Sequence, residues 1–133
     1  MISITKLFEF EAAHFLPHYL GPCGNVHGHG YKLEVEVTSM YPIEGDKFKM
    51  VWDFSTLKDI VQDIIIKKFD HQVINALPEG EFTKWLPMPT AEAMVAFFRE
   101  RLQDALTEHK YIILLRVRLW ETSTSYAEWK SDG

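Results

Sequence analysis

The feature that most restricts the fold of this chain is a strict alternation between residues 31 and 38. Tyr31, Leu33, Val35 and Val37 are apolar, and each residue that follows them is charged or polar. Successive side chains of a strand point to opposite faces, so this period of two predicts a strand with one buried and one solvated face.

The rest of the chain predicts further strands and two helices. The predicted strands cover residues 2–10, 31–38, 47–53 and 111–120, with a short edge strand at 126–130. Apolar residues at helical spacing predict a first helix that starts at Asp53 or Ser55 and ends near Phe69. A second helix follows Thr90 as its N-cap. Residues 70–89, which are rich in turn-forming residues, predict a surface loop.

This order of elements predicts an α+β domain in which two helices cover one face of a four-stranded antiparallel sheet. Residues 1–133 form a single domain, since the chain has no linker, repeat or low-complexity stretch. Apolar residues on both sides of several strands predict that other subunits cover the second face.

Composition excludes several kinds of partner. The chain is 47% hydrophobic and 25% charged, as globular proteins are. A net charge of −5 without clustered Lys or Arg argues against nucleic acid, and the apolar run at residues 111–115 is too short to span a membrane. A single cysteine excludes an intrachain disulfide, and the first residues lack the order of a signal peptide. We therefore expect a cytoplasmic protein.

The residues just before the predicted strand at 31–38 indicate a metal site. His27 and His29 share the parity of its apolar residues, so both imidazoles would project to the same face. His14 follows the first predicted strand and offers a third imidazole, which would leave Cys23 as a thiol close to the metal. Three imidazoles with an open fourth position are typical of catalytic zinc. The spacing alone also fits an ordinary solvated strand.

Several separated motifs give the chain a resemblance to a known family. They are Phe10-Glu11-Ala12-Ala13-His14, the Cys23 segment that ends in His27-Gly28-His29, Met50-Val51-Trp52-Asp53-Phe54, Phe69-Asp70-His71 with Asn75, Pro89-Thr90-Ala91-Glu92, and Glu121-Thr122. Together they resemble the 6-pyruvoyltetrahydropterin synthase and 6-carboxytetrahydropterin synthase superfamily over nearly the whole chain. The resemblance implies a tunnelling fold (T-fold) and a homo-oligomer that forms a barrel, a hexamer built as a dimer of trimers.

The resemblance also implies roles for individual residues. They are His14, His27 and His29 for Zn²⁺, Cys23, Asp70, His71 and Glu121 for catalysis, and Thr90, Glu92 and Glu121 for substrate binding. Cys23 would be the proton-abstracting base, Asp70 and His71 an acid and relay pair, and Glu121 the anchor of the pterin amino and ring N–H groups.

Some of these residues also have a purely structural interpretation. Asp70 and His71 can instead cap a loop, since neighbours in an extended chain point apart unless a turn joins them. Glu121 can form an ion pair with an arginine at the end of its strand. His18 and His109 have no assigned role. The cations that could hold a triphosphate, but that equally suit a solvated strand face, are Lys32, Arg116 and Arg118.

The substrate implied by the resemblance is the pterin 7,8-dihydroneopterin triphosphate. Three residues separate Cys23 from His27, which resembles the bacterial 6-carboxy enzymes of queuosine biosynthesis. We therefore expect a zinc-dependent lyase that forms 6-carboxy-5,6,7,8-tetrahydropterin, acetaldehyde and triphosphate. The alternatives are triphosphate elimination to a 6-pyruvoyl product, and a non-catalytic pterin- or metal-binding module. Phe69 and Ala91 depart from the family pattern without touching a proposed catalytic atom.

Overall fold

A single five-stranded sheet and two helices make up the part of the chain that the structure, a computed structural model, describes, which is residues 1–78 and 88–132. The strands are β1 (Ser3–His14), β2 (His27–Ser39), β3 (Gln72–Val73), β4 (Ile112–Thr122) and β5 (Ser125–Lys130). The first helix runs from Phe54–Val61 through a π-helical segment, Gln62–Ile66, to a last turn, Lys67–Phe69, and the second helix is Ala91–Leu106. Among these residues no helix is long and apolar enough to cross a membrane.

The sheet has the order β3-β1-β2-β4-β5. β1 and β2 are antiparallel over the full length of β1, whereas β3 is parallel to β1 and pairs only with Ala12 and Ala13. The predicted α+β class is confirmed, and so is the edge strand near the end of the chain. The prediction of four antiparallel strands is wrong in detail, because the sheet is mixed and has five. β3 is two residues long, too short to carry a periodic signal.

The alternating residues of β2 lie at the centre of the core. Their side chains are at most 1% exposed, and they share one buried apolar cluster with residues of both helices, including Leu57 and Phe98. Both helices therefore cover the same face of the sheet, as predicted. Removal of this apolar surface from water is the main term that stabilises the fold.

Each helix begins where the sequence predicts a cap. The Asp53 carboxylate accepts a hydrogen bond from the Ser55 backbone N–H at 2.7 Å, and the Thr90 hydroxyl accepts one from the Ala93 N–H at 3.1 Å. These side chains satisfy backbone donors that have no partner inside the helix. The first helix ends at Phe69, as predicted.

The predicted strand at residues 47–53 is not formed. The Asp46 carboxylate accepts hydrogen bonds from the backbone N–H groups of Phe48 and Met50, and Lys49 has a positive φ of 57°. A side chain that bonds its own following backbone competes with strand pairing and closes a turn instead. Phe48 is 71% exposed, so the alternation of apolar residues in this segment does not correspond to a buried strand face.

A β-bulge changes the parity of β4. The pairing shifts from Glu36↔Arg116 to Val37↔Leu114, which leaves Leu115 without a paired residue in β2. Leu114 is therefore buried and Ile113 exposed, so the prediction that Ile113 shares a face with the later apolar residues of β4 is wrong. After the bulge the predicted parity holds.

The second face of the sheet carries mainly charged side chains. Arg118 contacts Glu128 at 2.6 Å and Arg116 contacts Glu36 at 3.4 Å. Both arginines are therefore engaged in strand-face ion pairs, which favours the solvated-face interpretation over triphosphate binding. Leu7 is an apolar exception on this face. The expectation of an apolar second face is met only in part.

The predicted loop at residues 70–89 is described in part. Residues 70–78 contain β3 and a short 3₁₀ turn, Ile74–Ala76, so this portion is more regular than predicted. Residues 79–87 lie outside the described part of the chain.

Candidate metal centre and adjacent cavity

Three histidines meet at one end of the sheet because of the register between β1 and β2. His14 is the last residue of β1 and pairs directly with His27, the first of β2, while His29 pairs with Ala12. The ring centroid of His14 lies 4.7 Å from that of His27 and 5.1 Å from that of His29. The three side chains share the core face, as the parity of the sequence predicts for His27 and His29.

Glu121 completes the group from β4. One of its carboxylate oxygens lies 3.0 Å from His29 Nε2 and 3.4 Å from His14 Nε2. The ligand atoms of the four residues all lie within 4.8 Å of one another. Glu121 therefore contacts imidazoles rather than an arginine, which differs from the ion pair considered as its structural alternative.

Backbone carbonyls fix two of the rings. His14 Nδ1 lies 2.7 Å from the Pro89 carbonyl oxygen, and His27 Nδ1 lies 2.7 Å from the Asn25 carbonyl oxygen. An imidazole that donates through Nδ1 presents a lone pair at Nε2, which is how metal-binding histidines are commonly held.

The donor set fits a metal ion. Within residues 1–78 and 88–132, His29 Nε2 is buried and makes no hydrogen bond, because its 3.0 Å contact with Glu121 lacks hydrogen-bond geometry, although buried polar atoms are normally satisfied. Imidazole nitrogens together with a carboxylate oxygen suit a divalent transition metal, which would satisfy that nitrogen. The four residues can therefore hold a metal ion.

The carboxylate sets the charge of the group. Burial opposes protonation of His14, but Glu121 and the Pro89 carbonyl outweigh burial and raise the pKa of His14. The hydrogen bond with His14 lowers the pKa of Glu121, which keeps this acid ionised. Burial lowers the pKa of His29, and the negative charge of Glu121, which would raise that pKa, has the smaller effect. His29 thus favours the neutral form that binds metals.

Cys23 lies outside the candidate metal-binding group, which consists of His14, His27, His29 and Glu121 and is called the metal-binding group below. It sits in the 3₁₀ turn Pro22–Gly24, is half-buried, and its carbonyl oxygen accepts a hydrogen bond from the Leu16 N–H at 2.7 Å. A side chain on Gly24 would come within 2.5 Å of the Tyr19 carbonyl oxygen, so this turn requires glycine. Cys23 precedes β2 in the sequence and is not one of the grouped ligands.

Asp70 and His71 form a contact pair. His71 has a positive φ of 61°, and this turn brings its Nδ1 to 3.0 Å from Asp70 Oδ1. The turn that the pair requires is therefore present. The Glu11 backbone N–H donates to the same oxygen at 2.9 Å and is the main cause that lowers the pKa of Asp70. The His71 ring remains 77% exposed.

A cavity of about 360 Å³ adjoins the metal-binding group. Glu92, Glu121, Tyr126 and Glu128 are among its lining residues, so Glu121 borders both the cavity and the histidines. Thr90 caps the helix that carries Glu92 and does not line the cavity. A larger cavity of about 730 Å³ lies between the two helices, at Asp59 and Ala105, and none of the motif residues lines it.

Several contacts of the site have no counterpart in the sequence interpretation. The carbonyl oxygens of Pro89 and Asn25 orient the rings of His14 and His27. Every residue has a backbone carbonyl, so the residue type at these positions could not have predicted this role. The alternation of β2 predicts that Tyr31 lies in the core, which it does, and its hydroxyl is also 3.5 Å from His14 Nδ1. Burial raises the pKa of Tyr31, so the hydroxyl stays protonated.

Comparison with protein families gives a match over almost all of the sequence. A family model described as 6-pyruvoyl tetrahydropterin synthase matches residues 3–132. A protein of Haemophilus influenzae named 6-carboxy-5,6,7,8-tetrahydropterin synthase is 35% identical, with 98% of this chain and 99% of that protein covered. A Synechocystis sp. protein of the same name is 36% identical, with 98% and 95% covered.

Solved structures show the same fold. A 6-pyruvoyl tetrahydropterin synthase of Caenorhabditis elegans superposes with a TM-score of 0.77 at 24% identity, covering 98% of this chain and 96% of that one. The Plasmodium falciparum protein of that name has a TM-score of 0.64 at 21% identity, covering 97% and 98%. At this identity the likeness concerns the fold alone.

The carbonyl contacts predict the tautomers of two rings. We expect neutral His14 and His27 to carry their proton on Nδ1, because each Nδ1 lies 2.7 Å from a carbonyl acceptor. Long-range ¹⁵N–¹H correlation spectra of the metal-free protein at alkaline pH measure this directly. Spectra in which both rings carry the proton on Nε2 would contradict the proposed orientation of the group.

Proposed function

Because the chain belongs to the 6-pyruvoyl tetrahydropterin synthase family, we propose that it is a zinc-dependent 6-carboxy-5,6,7,8-tetrahydropterin synthase. Its substrates are 7,8-dihydroneopterin triphosphate and water, and its products are 6-carboxy-5,6,7,8-tetrahydropterin, acetaldehyde and triphosphate. This reaction belongs to queuosine biosynthesis. The observation that carries the proposal is the grouping of His14, His27, His29 and Glu121 beside a cavity of ligand size.

The choice of the 6-carboxy branch rests on two supports. Relatives that match along their whole length carry that name at 35% and 36% identity. The three-residue gap between Cys23 and His27 also resembles that branch.

The metal is proposed to be zinc, held by the Nε2 atoms of the three histidines. When bound, it would supply Lewis-acid polarisation of the hydroxyls on the substrate side chain. The Pro89 and Asn25 carbonyls keep His14 and His27 turned toward that position. Imidazoles rather than thiolates preserve the charge that this role needs.

Cys23 is the proposed base, and the Asp70–His71 pair the proposed relay. Cys23 removes a proton from the substrate side chain, and loss of triphosphate, with two electrons passing from the side chain to the ring, leaves a dicarbonyl side chain on the reduced pterin. Water then adds to the carbonyl next to the ring, and cleavage of the neighbouring carbon–carbon bond in retro-aldol fashion gives the 6-carboxylate and acetaldehyde. Asp70 holds His71 through Nδ1, which leaves Nε2 of an exposed ring to transfer protons.

Glu121 and Glu92 are proposed to bind the pterin ring. Carboxylates accept hydrogen bonds from paired amino and ring N–H donors, a contact that rejects ligands without those donors. Since Glu121 borders both the cavity and the histidines, a ring bound there would direct its side chain toward the metal-binding group. Thr90 contributes to binding by holding the start of the helix that carries Glu92.

We also propose a homo-oligomer. Within the described residues β3 covers the edge of β1 only at Ala12 and Ala13, and β5 pairs on one side only, so backbone donors and acceptors remain at both edges. Large apolar side chains are exposed at the end of the sheet away from the histidines, including Ile2, Met40, Tyr41 and Tyr111. Edges and apolar patches of this kind are typical of surfaces that pair with another subunit.

Light scattering tests the assembly. At micromolar concentration we expect a molar mass several times that of the 15.5 kDa chain. A single species at the monomer mass would contradict the proposal.

Two variants should distinguish the residues that bind zinc from the residue that acts as the base. We expect His27→Ala to lose most of the bound zinc, because it removes one of three imidazoles, and Cys23→Ala to keep zinc while turnover falls by about 10²–10⁴-fold, the range for a lost base. His18→Asn is the control for zinc content, since His18 lies outside the group and Asn tolerates its φ of 65°. Metal analysis and steady-state rates of the purified proteins measure both effects. Undiminished zinc in His27→Ala, or lost zinc in Cys23→Ala, would contradict these assignments.

Product analysis decides the reaction. Incubation with 7,8-dihydroneopterin triphosphate is expected to yield 6-carboxy-5,6,7,8-tetrahydropterin and acetaldehyde in equal amounts, identified by mass spectrometry and by aldehyde trapping. A 6-pyruvoyl product without acetaldehyde would assign the chain to triphosphate elimination. Binding without any product would assign it as a non-catalytic pterin-binding module.

A further inference from the structure

One side chain holds both backbone groups of the residue that follows His14. The Phe15 N–H donates to Asn75 Oδ1 at 3.0 Å, and Asn75 Nδ2 donates to the Phe15 carbonyl at 3.0 Å. We call these two hydrogen bonds the amide bridge. They join positions 60 residues apart in the sequence.

The amide bridge lies directly beyond the point where the pairing of β1 ends. The β1–β2 ladder ends at His14↔His27, and β3 pairs with β1 only as far as Ala13. Beyond that point a side-chain amide, which has one acceptor and two donors, can replace the peptide of a neighbouring strand. The backbone next to a candidate metal ligand is thus held by Asn75.

The segment that carries Asn75 is itself fastened to β1. The Asp70 carboxylate accepts from the Glu11 N–H, and the His71 N–H donates to the Glu11 carbonyl. Together with the β3 pairing and the amide bridge, these contacts fix residues 70–75 along the edge of β1 from Glu11 to Phe15. The segment is therefore a rigid support for Asn75 rather than a free loop.

Phe15 also stands between the two proposed functional groups. On one side of it is His14, and on the other is Leu16, whose N–H bonds to the Cys23 carbonyl at 2.7 Å. A change in the Phe15 backbone is therefore transmitted both to a metal ligand and to the turn that carries the thiol.

We propose that Asn75 is a positioning residue that holds His14 for the metal and Cys23 for proton transfer through the backbone of Phe15. This inference rests on the function proposed above. Residues that orient metal ligands without touching the metal typically change metal affinity by about 10- to 100-fold.

The test compares Asn75→Ala with Gln72→Ala in the full-length protein. Gln72 is an exposed amide on β3 in the same segment, so its removal controls for losing an amide side chain there. Zinc affinity is measured by competition with a chromophoric chelator, and the visible spectrum of the Co²⁺-substituted protein reports ligand geometry. Because Cys23 is the only cysteine, the rate of alkylation by iodoacetamide reports the position of the thiol.

We expect Asn75→Ala to weaken zinc binding by about tenfold, to alter the Co²⁺ spectrum and to raise the Cys23 alkylation rate, while Gln72→Ala matches the wild type. Wild-type zinc affinity and an unchanged Co²⁺ spectrum in folded Asn75→Ala would overturn the inference. If that variant does not fold, Asn75→Asp carries the same comparison, since it keeps the acceptor for the Phe15 N–H and loses the donor to the Phe15 carbonyl. A lower thermal stability with unchanged zinc affinity in Asn75→Asp would also overturn it.

The outcome separates this inference from the proposed function. Wild-type protein that binds no zinc would overturn both. Wild-type protein that binds zinc and turns over substrate, with Asn75→Ala unchanged in every readout, would overturn the role of Asn75 alone.

Discussion

The pairing of β1 with β2 is the constraint on which the rest of the site depends. Its antiparallel register places the last residue of one strand, His14, opposite the first residue of the other, His27. A shift of one residue would turn every side chain of one strand to the other face. The apolar residues Tyr31 and Leu33 prevent that shift, since burying them fixes which face of β2 meets the helices. The core therefore sets the position of the ligands.

The site then depends on groups that lie outside these two strands. The Pro89 carbonyl, which precedes the second helix, reaches His14, and Glu121 reaches the histidines from β4. Glu121 continues the parity of the buried residues Val117 and Leu119, which brings its side chain to the core face of β4. Three segments that are distant in the sequence thus converge on one group of donor atoms, and the cavity opens beside them.

Glu121 lies between the histidines and the cavity. Its carboxylate is ionised beside two imidazoles, and it also borders the cavity in which a pterin ring is proposed to bind. A carboxylate in contact with the rings competes for the same direction that a metal ion would use. In the proposed function, Glu121 is therefore the residue that joins ring binding to metal binding.

The sequence by itself determined the α+β class, the Thr90 cap of the second helix, Asp53 or Ser55 as the cap of the first, and the core parity of β2 that His27 and His29 share. These features follow from local spacing, because strand and helix periods depend only on neighbouring residues. It failed at residues 47–53, where the Asp46 carboxylate bonds the following backbone and overrides the apolar alternation. Only the tertiary structure decided the parallel β3, the bulge opposite Val37, the carbonyl contacts of His14 and His27, and the bonds of Asn75 to Phe15. Each of these joins groups whose partner is set by strand register and chain path, and neither is encoded in the spacing of residue types along a single segment.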